Sequence, residues 1–206
     1  MATTDKLMWI PWIKPEDAQG KVAEMYDKVQ QARGSAEVPA TALVFSLRPA
    51  AGLVKDEFRN VIVDDNTLGA ERTEMVNLAV SGLNACSFCA SAHAGSMIRQ
   101  GAPAEEAVAL YRDWRSVPHD PPDQAMLEYA EKLTFAPWSM TEADIEGLRQ
   151  AGFSEEQIVD IVLVAAYRNF INRVHIALGL SPEQMRARLG GVLDEILAET
   201  EIKRAR

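Results

Sequence analysis

ERTEMVNLAVSGLNACSFCASAHAGSMIRQG (residues 71–101) holds both cysteines of the chain and one of its three histidines. After Glu74, the residues Met75, Val76, Leu78, Ala79, Val80 and Leu83 recur at helical rather than alternating spacing, which predicts a helix over 70–83 buried on most sides. Asn84 has the side chain of an N-cap and predicts a second helix over 85–100, which Gly101 ends. Two abutting helices with no strand signal between them set the expectation for the whole chain.

The same pattern extends in both directions. Period-two alternation is nearly absent, and β-branched residues sit inside longer apolar stretches at helical spacing, so the fold class is all-α. Upstream, helices are predicted over 15–32, where Pro15, Glu16 and Asp17 suit an N-terminus and Gly34 a stop, then over 39–47 and 50–63. Downstream they are predicted over 103–114, 124–134, 141–150, 154–178 and 181–200, with SVPHDPPD (116–123) as the most linker-like segment. Residues 98–106 and 148–156 echo each other as helix, glycine stop and acidic start. Duplication of a two-helix unit and independent use of the same stop chemistry both account for that.

With 206 residues, 48% of them hydrophobic, the chain can bury a substantial core without staples. A net charge of −9 leaves no basic excess to neutralise phosphates, so nucleic acid is not an expected partner. The apolar patch at 7–13 is interrupted by Pro11 and lacks signal-peptide framing, and no stretch approaches membrane-spanning length. The expectation is a soluble, cytoplasmic protein, where C-x-x-C is more often catalytic or metal-binding than a structural disulfide.

On a helix each residue advances about 100°, so Cys86, Cys89 and His93 fall within an arc of roughly 60°. Residues three apart come close enough for a disulfide, so the pair can cycle between dithiol and disulfide. With Asn84 as N-cap, both cysteines lie near free amides and the positive end of the helix dipole, which favour thiolate. His93, one turn on, can relay the proton. On the residues alone three readings stand: a redox centre, two buried core fillers, or a zinc site of Cys86, Cys89 and His93 that lacks a fourth ligand and crowds three onto one short helix. Glu74 is ordinarily a surface acid at a helix start. In a simple hairpin joined at Asn84 it lies roughly 15 Å from the turn and Cys86 roughly 3 Å, which does not bring the two together.

The run ERTEMVNLAVSGLNACSFCASAHAGSMIRQGAPAEEAV (71–108) resembles the carboxymuconolactone decarboxylase and AhpD-like superfamily, in particular its peroxidase-related branch. The matching pattern is a glutamate twelve residues before C-x-x-C, then x-x-x-H, then a helix ending in G-x-x-x-E-E. WIPWIKPEDAQGKVAEMYDKV (9–29) and YRNFINRVHIALGL (167–180) look like the flanking segments of that branch. The resemblance implies an AhpD-like helical bundle in one domain over 1–206, with an N-terminal helical extension to about residue 65, a C-x-x-C core over about 66–180 and a C-terminal helix over about 181–200. It implies that Cys89 is the thiol that reacts with a hydroperoxide, that Cys86 is its disulfide partner, and that His93 and Glu74 relay protons. An external dithiol or protein reductant resets the pair, no metal, haem or flavin is required, and the chain forms a homo-oligomer, a trimer or hexamer. One position departs: AhpD proper carries a histidine between the cysteines, where this chain has Phe88. The alternatives are a cofactor-independent lactone decarboxylase or isomerase of the same fold, and a non-catalytic helical oligomer that senses redox state.

Other residues have simpler expectations. His175 reads as a cation near a helix C-terminus, His119 as solvated, and Trp9, Trp12, Trp114 and Trp138 as packing anchors. Arg168 and Arg173 are odd in a mostly apolar helix, and suggest pairing with a buried acid or a subunit contact.

Overall fold

The computed structural model describes residues 7–205, and every regular element among them is helical. The N-terminal part comprises a 3₁₀ turn at Pro15–Asp17, then α1 (Lys21–Arg33), α2 (Ala40–Leu43) and α3 (Pro49–Arg59), which runs on into a π-helical turn, Asn60–Asp64. The centre comprises α4 (Ala70–Leu83), α5 (Ser87–Arg99), α6 (Ala104–Arg112), α7 (Pro121–Phe135), α8 (Glu142–Gln150) and α9 (Glu155–Ala177). The chain finishes with α10 (Arg186–Leu189) and α11 (Gly191–Arg204).

Two predicted helices are broken. The helix expected over 15–32 is interrupted at Gly20, whose φ of 54° cannot continue an α-helix, so α1 starts at Lys21 and stops at Gly34 in the left-handed region. The C-terminal helix expected over 181–200 is divided at Gly190, with φ 49°.

Helix α4 is the hub, and α5, α6, α7 and α9 all pack on it. Val76 and Val80 enter one apolar cluster, shared with α1, α3, α7 and α9, while Leu78 and Ala79 enter a second, shared with α5, α6 and α11. A helix surrounded in this way has little room on any side. At Gly82 an added Cβ would lie 2.3 Å from the Tyr111 carbonyl oxygen, so glycine is what lets the end of α6 approach.

Helix α9 presents a strict stripe at heptad spacing: Ile161, Val164, Arg168, Ile171 and His175 are all buried. Two polar residues therefore occupy core positions, and this is what places them at the site. The segment after α9 is tied to the N-terminus by Trp9 N–H to Leu178 O (2.9 Å) and Ser181 N–H to Leu7 O (2.8 Å).

The tryptophans divide. Trp114 is buried and Trp12 half-buried, but Trp138 is 83% exposed and Trp9 67% exposed, so neither of these two anchors a core. Trp9 instead lies across Gly179, where a Cβ would fall 2.2 Å from the indole.

Candidate active site at the start of α5

The backbone between α4 and α5 explains where the thiols sit. Helix α4 ends in a Schellman arrangement: Cys86 N–H donates to Ser81 O (2.9 Å) and Ala85 N–H to Gly82 O (3.1 Å). The left-handed residue of that motif is Ala85, with φ 51°, rather than glycine, which costs roughly 1–2 kcal/mol. Asn84 is consequently the C-cap of α4, not the N-cap of α5. Its side-chain amide donates to Val80 O (3.1 Å) and Asn169 Oδ1 (2.9 Å). The N-cap of α5 is Cys86, and Cys89 is its third helical residue. Both thiols thus lie nearer the unpaired amides of the first turn than the sequence suggested.

Both cysteines are reduced and 1% exposed. Their sulfurs and one ring nitrogen of His175 all lie within 4.8 Å of one another. His175 does fall in the last turn of α9, as expected, but it is buried rather than at the surface, and its Nδ1 lies 3.2 Å from Cys89 Sγ. Its Nε2 is buried with no hydrogen-bond partner among the described residues. Phe88 stands edge-to-face against the His175 ring, with centroids 5.0 Å apart. The residue that departs from the AhpD pattern therefore fixes the orientation of the histidine that touches the thiol.

His93 and Glu74 form a separate pair, with Nδ1 of the histidine 2.5 Å from Oε2 of the glutamate. The hairpin arithmetic holds: Glu74, ten residues before the turn, lies level with His93 rather than with the cysteines. It shares a cavity with His93 and Cys89, which Cys86 does not line.

Arg168, 5% exposed, forms no ion pair with an acid among the described residues; its Nε donates to Asn77 Oδ1 (2.8 Å), and its guanidinium lies 6.0 Å from the Tyr167 ring. Arg173 is exposed and bonds within its own helix to Asn169. His119 is half-buried, with Nε2 2.8 Å from Trp114 O, and is not simply solvated.

The electrostatics separate the two thiols. Burial pushes the Cys86 thiol up and the adjoining Cys89 pushes it further, leaving it well above the ordinary range. Burial acts on Cys89 too. There, however, the hydrogen bond from the Cys86 thiol, the His175 imidazole and the Arg168 guanidinium together outweigh it and hold Cys89 well below the ordinary value. Burial and the Arg168 charge also lower His93, against the opposing pull of Glu74. Burial raises Glu74, but His93, Ser96 and Arg168 overcome that and lower it. The arrangement is one thiol whose ionisation is favoured, a second beside it whose ionisation is disfavoured, and a carboxylate–imidazole pair on the cavity that Cys89 lines.

A cavity of about 200 Å³ opens onto Cys89, His93, Glu74 and Arg168, and another of about 260 Å³ reaches Cys86. Phe88 and His175 line both. As metal donors, the structure assembles Cys86, Cys89 and His175 rather than the Cys86, Cys89 and His93 set considered from sequence. Among the described residues no fourth histidine, cysteine or carboxylate joins them, which leaves the set one short of a closed zinc site.

Residues 50–132 match the carboxymuconolactone decarboxylase family. The fold and the C-x-x-C site agree with that match, which covers less than half of the chain, and support a likeness to the AhpD-like, carboxymuconolactone decarboxylase superfamily. Uncharacterized protein YdfG from Bacillus subtilis (strain 168) is 29% identical over 107 residues, which span 52% of this chain and 72% of that protein. The fold matches an uncharacterized peroxidase-related protein with an alkylhydroperoxidase AhpD core from Ralstonia eutropha JMP134, at TM-score 0.77 and 25% identity, over 87% of this chain and 94% of that one. An uncharacterized peroxidase-related protein from Silicibacter sp. TM1040 matches equally, at TM-score 0.77 and 25% identity, over 88% and 95% of the two chains.

Proposed function

We propose that the protein is a thiol-dependent hydroperoxide reductase. The observation that carries this is the Cys89 thiol, held low by His175 and Arg168 with a protonated Cys86 within disulfide reach. Cys89 thiolate attacks the terminal oxygen of R–O–O–H. The S–O bond forms, the O–O bond breaks, and RO⁻ leaves and takes the proton that Cys89 gives up on ionising, relayed by His93 and Glu74, to become ROH. Cys86 then attacks the Cys89 sulfenic acid, forming the disulfide and releasing water. An external dithiol reduces that disulfide and returns both thiols with their protons, and the one that Cys89 gives up on ionising serves the next turn. The sum is ROOH plus dithiol to ROH, water and the oxidised dithiol.

His175, not His93, is the histidine at the reacting sulfur, so the proton roles assigned to a single histidine divide between two. The chemistry asks for no metal, haem or flavin and for a reducing compartment such as the cytoplasm; no helix among the described residues is long and apolar enough to cross a membrane. A homo-oligomer, trimer or hexamer, is part of the proposal. It is supported by the exposed apolar stripe Val54, Phe58 and Val61 with nearby Phe170. The decisive test is peroxide-dependent consumption of a dithiol by the folded chain. Cys89→Ser abolishes it while far-ultraviolet circular dichroism stays unchanged, and undiminished consumption overturns the assignment.

A further inference from the structure

The two cavities divide the two sulfurs. Cys89 lines the first together with Glu74, His93 and Arg168, Cys86 lines the second, and Phe88 and His175 alone line both. Each cysteine is 1% exposed, so a reagent reaches either sulfur through the cavity that the cysteine lines. The hydroperoxide reaction at Cys89 uses the first cavity and leaves the second without a role.

That second cavity, of about 260 Å³, has a different wall. Trp9, Phe88, Leu180 and Leu197 contribute apolar surface, and besides Cys86 and His175 its one ionisable lining residue is Arg204. Trp9 is 67% exposed, yet its backbone N–H is tied to Leu178 O and its indole lies across Gly179. Held at the surface in this way, it is a wall of the cavity rather than part of the core.

Reduction of a Cys86–Cys89 disulfide calls for such an approach. Thiol–disulfide exchange is an in-line displacement, in which the incoming thiolate lies along the S–S axis behind the sulfur that it attacks. Attack on Cys86 therefore comes from the side away from Cys89, and of the two cavities the one that Cys86 lines is the one that can admit it. Cys89 is then the leaving sulfur. Its ionisation is favoured by the hydrogen bond from Cys86, by His175 and by Arg168, and a thiol of lower pKa leaves faster. Attack on Cys89 through the first cavity would instead expel Cys86, whose ionisation burial disfavours.

We infer that the second cavity is the binding site of the reductant, a small dithiol whose first thiol attacks Cys86, so that reductant and hydroperoxide enter by different doors. Its place in a catalytic cycle rests on the hydroperoxide reductase reading. A bond forms between the reductant's sulfur and Cys86 Sγ, the Cys86–Cys89 bond breaks, and Cys89 leaves as thiolate. The reductant's second thiol then attacks the reductant's own bound sulfur and releases Cys86. The dithiol is oxidised to a cyclic disulfide, and its two protons end on Cys86 and Cys89.

Two measurements on the full chain test this. In the first, the disulfide is formed with diamide, exposed briefly to 2-mercaptoethanol, quenched with acid and alkylated with N-ethylmaleimide, and mass spectrometry locates the mercaptoethanol adduct. The adduct is expected on Cys86 with Cys89 alkylated, and an adduct on Cys89 overturns the inference while leaving the reductase reading intact. In the second, the half-reactions are timed separately in variants whose fold is checked by circular dichroism. Leu197→Trp, which fills the second cavity from α11, should slow reduction of the diamide-formed disulfide by dithiothreitol about tenfold and change oxidation of the reduced chain by hydrogen peroxide by less than about twofold. Ala92→Leu, in the first cavity, should do the reverse. Reduction slowed by Ala92→Leu and untouched by Leu197→Trp overturns the second entrance. An adduct on Cys86 and slowed reduction in Leu197→Trp, without oxidation of the reduced chain by any hydroperoxide, keep the dithiol site and overturn the reductase reading.

Discussion

Replacing His175 by leucine in a Cys86→Ser background leaves Cys89 as the single thiol of the chain and removes its ring partner, which lies 3.2 Å away. A hydrogen bond to a charged group contributes about 1.5–3 kcal/mol. At about 1.4 kcal/mol per pKa unit, its loss raises the Cys89 pKa by about 1–2 units. Two unit charges at this separation would interact by about 5 kcal/mol at an effective dielectric of 20, an upper bound that the hydrogen-bond figure respects. Burial then acts on Cys89 with one counterweight fewer, so the thiol should titrate above that of the Cys86→Ser parent. Thiolate absorbance followed against pH, checked by the pH dependence of iodoacetamide alkylation, reads the shift directly. His93→Gln is the control: its ring does not bond to the Cys89 sulfur, so the thiol pKa should move far less while peroxide turnover falls through kcat. A shift below about 0.3 unit in His175→Leu, or a larger one in His93→Gln, would refute the division of roles between the two histidines.

Three further outcomes follow from the same geometry. Ala85→Gly relieves a left-handed alanine and should stabilise the chain by about 0.5–1 kcal/mol, seen as a higher urea midpoint; a lower one means that the alanine methyl packs usefully. His93 and Glu74 both have folded pKa values below the ordinary ones. The unfolded chain therefore binds their protons first as pH falls, and stability should decline below about pH 6.5 for His93 and again below about 4.3 for Glu74. In His93→Gln the first decline should shallow, and an unchanged slope between neutral and mildly acidic pH would count against the pair. Serine at Val54, Phe58 and Val61 together should dissociate the proposed homo-oligomer in sedimentation velocity, and an unchanged mass moves the interface elsewhere.

Local chemistry in the sequence was enough for most of the fold. Acidic starts and glycine stops placed α8 and α9 to within a residue or so, because capping is decided by neighbours in the chain. The same rules misassigned Asn84, whose amide turns back to α4 and across to Asn169, a partner 85 positions away. Gly20 and Gly190 were visible as letters. Whether each breaks a helix depends on the packing that rewards a positive φ there.

The site was legible where it is local and hidden where it is not. Cys89 and His93 share helix α5 and one cavity, with Cys86 at that helix's N-cap, and spacing alone brings them near one another. Glu74 joins His93 through hairpin register. His175 lies 86 positions from Cys89, and its closeness to Gly179 suggested a helix-end cation. The stronger signal was its register: Ile161, Val164, Arg168, Ile171 and His175 form one heptad stripe, and an arginine and a histidine in an otherwise core-facing stripe are costly unless they serve a buried partner. Read with that cost in mind, α9 announces two polar groups aimed at the interior, and the poised thiol on α5 is what they meet. Phe88 then ceases to be a mere gap in the family pattern. Its ring packs edge-to-face on His175 and lines both cavities, so the position where AhpD proper carries a histidine here braces the one supplied by α9.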